Sequence, residues 1–96
     1  MRIDAILIKE QDNVATALRD IQSQEKIVVG IGNKTIQIEL QEAIAFGHKF
    51  AVQHIPLGGH VLKYGEVIGR ATQEIQVGTH AHVHNIESLR GRGDLK

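Results

Sequence analysis

Apolar residues crowd the start of the chain. Ile3-Asp4-Ala5-Ile6-Leu7-Ile8 is broken by a single acid, and such a run predicts a strand buried over most of its surface. Val14, Ala17, Leu18 and Ile21 follow at spacings that suit one face of a short helix and equally a strand entering a turn; periodicity alone does not separate the two. Lys26-Ile27-Val28-Val29-Gly30-Ile31 and Thr35-Ile36-Gln37-Ile38-Glu39-Leu40 then flank Gly32-Asn33-Lys34. The second run alternates apolar and polar positions as a half-buried strand does, and Gly and Asn tolerate the positive φ of a tight turn, so a β-hairpin is predicted. Gly30-x-Gly32 shares two glycines with a dinucleotide-binding fingerprint. That fingerprint opens a helix, whereas here Ile36, Ile38 and Leu40 follow at strand spacing, and the hairpin reading wins.

The chain also repeats itself. Residues 52–61 align with residues 72–81 so that Ile55 meets Ile75, Gly58 meets Gly78 and His60 meets His80. A fainter copy spans residues 18–27, with Gln24 in the glycine position. In each copy an Ile anchors the incoming arm, the glycine position takes a turn, and an apolar residue starts the return. The copies are too few and too unevenly spaced for a solenoid, and they predict stacked hairpins in one all-β domain over residues 1–86. Lys63-Tyr64-Gly65 lies in the segment joining the last two copies, with Tyr64 read as a packing residue. Residues 87–96 are polar and Gly-rich and predict a flexible tail. Arg92-Gly93-Asp94 within them matches an integrin-ligand tripeptide by coincidence, since no export context accompanies it.

Composition agrees with strands. Thirteen Ile and eight Val stand beside ten Gly, while Phe, Tyr and Met total four and Trp is absent, so the core must be built from small aliphatics. Ninety-six residues support one domain and a modest core. Eleven Lys and Arg balance eleven Asp and Glu, which argues against a nucleic-acid partner held by a basic face. The absence of Cys excludes a disulfide scaffold, a thiolate zinc site and a cysteine nucleophile. No apolar run approaches the roughly 20 residues of a membrane helix, and no signal core follows Met1, so a soluble, cytoplasmic protein without a membrane partner is expected.

The candidate chemistry lies in the histidines. His80, His82 and His84 alternate with Ala81 and Val83, which on a strand puts the imidazoles on one face about 6.6–6.8 Å apart. Neutral imidazoles suit first-row divalent metals, and His48 is a further candidate member. A solvated His-rich strand face explains the same spacing, and does so more readily for His54 and His60. No nucleophile triad or paired-carboxylate signature appears, and Lys49 and Lys63 read as surface lysines able to meet an anion.

Asp12-Asn13-Val14-Ala15, Gly47-His48-Lys49-Phe50-Ala51, Lys63-Tyr64-Gly65 with Ile68-Gly69, and Gly78-Thr79-His80-Ala81-His82-Val83-His84-Asn85 occur in that order. This ordered set resembles the amino-terminal SAF-type domain of the altronate and galactarate dehydratase family, and its first and last pieces look closer to the altronate branch. The end of the chain resembles separately encoded small subunits of that family, to which a sulfolactate sulfo-lyase subunit is also related. The resemblance implies a β-clip fold of short strands and long bent hairpins. It further implies dehydration of a sugar acid to a 2-keto-3-deoxy acid, with a divalent metal (Fe²⁺ or Mn²⁺) in the complete enzyme and most of the catalytic apparatus in a large partner subunit.

Carried over by position, His48, His82 and His84 become candidate catalytic residues, with Lys49 and Asn85 as substrate contacts. His82 and His84 are also the candidate metal ligands; metal coordination and hydrogen bonding to substrate hydroxyls both stay open for them. His80 is the weaker member of the set. A sulfite-releasing small subunit and a non-catalytic carbohydrate-binding module are the alternatives, and self-association into a homo-oligomer stays open.

Overall fold

The computed structural model describes residues 2–89, which form nine short strands and no helix. They are β1 (Ala5–Leu7), β2 (Val14–Ala17), β3 (Lys26–Ile31), β4 (Lys34–Glu39), β5 (Lys49–Ala51), β6 (His60–Lys63), β7 (Glu66–Ala71), β8 (His80–Ala81) and β9 (Ile86–Ser88). One sheet runs β4-β3-β1-β2-β5-β8 and a second runs β6-β7-β9. All pairings are antiparallel except β1 with β3. The domain is therefore all-β, as the repeats and the β-branched content predict.

The open choice at residues 14–21 resolves as a strand entering a turn. Val14, Ala15 and Ala17 are all buried, and β2 has a partner on each edge, β1 and β5. A helix would bury one face only and would leave both edges unpaired. The hairpin of β3 and β4 closes as expected through Gly32 and Asn33, with Ile31 opposite Lys34 and Gly32 at φ 58°. At the other end, β9 carries the sheet beyond the expected boundary at Ile86. Glu87 and Ser88 pair with Arg70 and Gly69, and the Leu89 N–H donates to the Ile68 carbonyl at 3.1 Å. The first residues of the expected tail are thus tied down by the open edge of β7, and residues 90–96 lie outside the described residues.

The repeat has a fourth member. Residues 44–50 follow the same pattern as residues 21–27, 55–61 and 75–81: an Ile, a left-handed residue three positions on, and a buried apolar residue three beyond that. The left-handed positions are Gln24, Gly47, Gly58 and Gly78. The units act in pairs, because Ile21 bridges Ile44 and Ile55 bridges Ile75. Each pair supplies one of two cores: Ile21, Ile27, Ile44 and Phe50 belong to the first, and Ile55, Val61, Ile75 and Ala81 to the second.

Polar side chains fasten the parts where strands cannot. The Asp4 carboxylate accepts from the Val28 N–H at 2.9 Å and from Arg19 Nε at 3.0 Å. Burial alone would raise its pKa, but the Val28 amide and the Arg19 and Arg2 guanidinium groups together hold it below the ordinary aspartate value. Arg19 also pairs with Glu25, tying the first turn unit to β1. Between the sheets, Asn13 imitates a strand residue with its side chain: Nδ2 donates to the His60 carbonyl and Oδ1 accepts from the Leu62 N–H.

Candidate functional site

β5 and β8 place the histidines. Their register sets Lys49 opposite Ala81 and Phe50 opposite His80, so His48 and His82 face each other where the ladder opens. His48 is fixed by its own turn, its N–H donating to Ala45 and its carbonyl accepting from Ala17. The Glu42 carboxylate takes the His80 N–H at 2.9 Å.

The strand expected through His84 ends at Ala81. Asn85 is the reason. Its Oδ1 accepts from the His82 N–H, and its Nδ2 donates to the His80 carbonyl, each at 2.9 Å. The N–H groups of Asn85 and Ile86 both turn back to the His82 carbonyl. The chain folds into a turn before β9, and alternation no longer governs where the imidazoles point. They gather nonetheless. Ring centroids of His48 and His80 lie 5.1 Å apart, those of His80 and His82 5.3 Å, and those of His80 and His84 5.5 Å. His48 Nδ1 and His80 Nε2 approach to 3.0 Å, a hydrogen bond in which one ring donates and the other accepts.

Asn85 itself is buried, with both side-chain heteroatoms committed to backbone groups. In this structure it holds the histidine turn in shape. Asn85→Ala should cost about 1–2 kcal/mol and, more tellingly, disperse the imidazole signals of His80 and His82 in NMR spectra.

His80 is the half-buried member of the group, and its pKa is lowered, first by burial and then by His48, His82 and His84 close by; Glu42 opposes them. The folded state therefore binds a proton at His80 less readily than the unfolded chain, whose His titrates near 6.5. Stability should be fully present above about pH 6.5 and fall as pH drops through the window between that value and the lower folded pKa. Thermal melts across pH 5–7 check this, with His80→Gln expected to flatten the dependence.

His54 and His60 stay outside the group. His54 Nε2 pairs with Glu74 at 2.7 Å, and His60 is exposed at the start of β6. A divalent metal needs several donors converging on one point. The imidazoles are suitable donors in kind, but among the described residues no three His, Asp or Glu groups are arranged to hold a metal ion. Among the described residues, His82 and His84 are thus not joined by a third such group in a metal-holding arrangement.

Beside the cluster lies an open pocket of about 600 Å³. Lys49, Lys63, Tyr64 and His82 line it, together with Thr16 and Ser88. Lys49 and His82 were legible from the sequence as candidate site residues; Lys63 was no more than a surface lysine able to meet an anion, and Tyr64 read as packing. Their signal was the Lys-Tyr-Gly tripeptide. It forms the turn between β6 and β7, where Tyr64 stands 53% exposed and Lys63 Nζ sits 3.7 Å from the centre of its ring.

Two lysines, a tyrosine and a histidine thus share the wall of one pocket in an all-β module. Residues 3–89 match the family model of the altronate/galactarate dehydratase SAF domain, and the chain belongs to that family. It is 43% identical over 83 residues to the altronate dehydratase of Bacillus subtilis, covering 86% of this chain but 16% of that protein. It is 41% identical over 58 residues to the (2R)-sulfolactate sulfo-lyase subunit alpha of Chromohalobacter salexigens, covering 60% of this chain and 62% of that one. With the subunit alpha of the same name from Paracoccus pantotrophus it shares 35% over 63 residues, which is 66% of this chain and 94% of that one. The chain thus spans about one-sixth of the altronate dehydratase and most of the shorter sulfo-lyase subunit. No helix among the described residues is long and apolar enough to cross a membrane.

Proposed function

We propose that the chain is the small SAF-type subunit of a sugar-acid lyase of the altronate dehydratase kind, active together with a large catalytic subunit. The observation that carries the reading is the pocket that brings Lys49, Lys63 and His82 together in a member of this family. Lys49 and Lys63 pair with the substrate carboxylate, and the hydroxyls of the sugar chain reach Tyr64 and the imidazoles. The elimination removes the proton α to the carboxylate, breaks the bond to the β-hydroxyl, and releases that hydroxyl with a proton as water; the enol left behind tautomerises to the 2-keto-3-deoxy acid. His82, the histidine in the pocket wall, carries one of these protons, with the His48 ring beside it and His84 next to His80 in the same cluster. In this reading the ligands of the expected Fe²⁺ or Mn²⁺ come from the large subunit.

A tagged chain purified from its own cells should bring down that large subunit, and the complex should form keto acid from altronate. His82→Ala should lower the turnover by about 10²–10⁴-fold; an unchanged rate would remove His82 from the chemistry. The 94% coverage of a sulfo-lyase subunit favours a second reading, in which sulfite leaves instead of water. Sulfite release from (2R)-sulfolactate, with no product from altronate, would select it. A chain that comes down alone and binds sugar acids without turnover would be a binding module.

A further inference from the structure

Tyr64 occupies a conformation that its side chain disfavours. It is the first of the two residues in the turn between β6 and β7, with φ 59°, and Gly65 follows at φ 76°. A turn with both central residues in the left-handed region is the usual place for Asn-Gly, because a bulky side chain there crowds its own backbone. Packing does not repay the tyrosine: the residue is 53% exposed and belongs to neither core. The buried Asp12 carboxylate holds the turn in place, accepting the N–H of Tyr64 at 2.9 Å and that of Gly65 at 2.8 Å.

The consequence shows in the side chains. Consecutive residues of an extended strand point to opposite faces. Lys63 and Tyr64 are consecutive, yet both line the same pocket and touch, with Lys63 Nζ 3.7 Å from the ring centre. The left-handed backbone at Tyr64 is what swings the ring to the lysine's side. An ammonium over an aromatic face is held in position while remaining able to bind an anion.

We propose that Tyr64 sets the ligand specificity of the pocket: its ring positions the Lys63 ammonium for a carboxylate, and its hydroxyl selects ligands that carry a hydroxyl group near that carboxylate. The inference rests on the reading of the pocket as a sugar-acid site. The phenol is held below its ordinary pKa, first by Lys63 and then by Lys49 against the opposing pull of burial and Asp12, which makes its hydroxyl a stronger donor.

The test uses the full chain, isotopically labelled for NMR, titrated with altronate and with acetate as a charge-only probe. Altronate should shift the signals of Lys49, Tyr64 and His82. Tyr64→Phe keeps the ring over Lys63, so it should weaken altronate roughly tenfold and leave acetate unchanged. Tyr64→Asn suits the turn but removes the ring; it should weaken both ligands while raising the melting temperature by about 4–8 °C. Wild-type affinity for altronate in Tyr64→Phe, or a lowered melting temperature in Tyr64→Asn, would overturn the proposal, as would a wild-type chain whose pocket signals ignore altronate. The copurification and the His82→Ala assay do not involve Tyr64, so they decide the subunit reading separately.

Discussion

Gly78→Ala is expected to abolish the folded state or to lower its melting temperature by at least about 15 °C. Two penalties coincide at this glycine. Its φ of 86° is a left-handed conformation that costs an L side chain about 1–2 kcal/mol. A Cβ there would also press into the Glu39 carbonyl oxygen and stand 3.2 Å from the Gln41 nitrogen and 3.3 Å from the Leu40 Cα. All three neighbours are backbone and cannot step aside as a side-chain tip can. The Gln41 N–H donates to the Gly78 carbonyl and the Gly78 N–H to Ala51, so relief of the clash would break the bonds that dock the turn unit of residues 75–81 on the ends of β4 and β5. The sum is about 3–5 kcal/mol, a large part of the roughly 5–15 kcal/mol that holds a domain of this size together. Gly47→Ala is the control. Gly47 sits at the same point of its own unit with φ 83° and nothing within 4 Å of a Cβ, so the backbone penalty alone should appear. Gln24 already shows that a side chain is tolerated at this position, at φ 69°. Equal losses from both substitutions, read by thermal denaturation, would show that the close approach at Gly78 carries no weight.

Asp12→Ala should be the next most damaging change, at about 3 kcal/mol or a fall of about 12–24 °C. The carboxylate is fully buried and accepts three backbone amides: Lys9 at 3.1 Å, Tyr64 at 2.9 Å and Gly65 at 2.8 Å. Its removal strands those donors and releases the turn that holds Tyr64 left-handed. Asp12→Asn should lose roughly half as much, because one acceptor oxygen survives while the new amide group faces donors. Fast hydrogen exchange at Tyr64 and Gly65 in Asp12→Ala would locate the damage. A loss below about 1 kcal/mol would mean that water replaces the carboxylate.

The match of residues to the family set was legible in the sequence, but the work those residues do was not. Asp12-Asn13 served there as a signature. In the structure these side chains bind the backbone of β6 and of its turn, and so join one sheet to the other. The fourth turn unit was missed because its flanks, Gln41-Glu42-Ala43 before Ile44, share nothing with those of the other copies; the Ile-x-x-Gly-x-x-apolar spacing would have found it. The histidine face was expected for the wrong reason. Period-two alternation requires an extended chain through His84, and Asn85 ends the strand at Ala81, yet the turn it makes gathers the same rings.

Local sequence settled what local physics governs. Gly32-Asn33 closed a hairpin, β-branched residues made strands, and the spacing of Ile, Gly and apolar positions set the turn units, because each depends on the φ preferences and burial of a few neighbouring residues. Only the tertiary structure decided which units pair, which glycine is pressed against another backbone, and which polar side chains meet. Lys49 and Lys63 are fourteen positions apart in the chain and reach one pocket because β5 and the turn between β6 and β7 are folded against each other through β2 and Asp12. A side chain's use depends on what it faces, and facing is a property of the closed fold rather than of the chain that makes it.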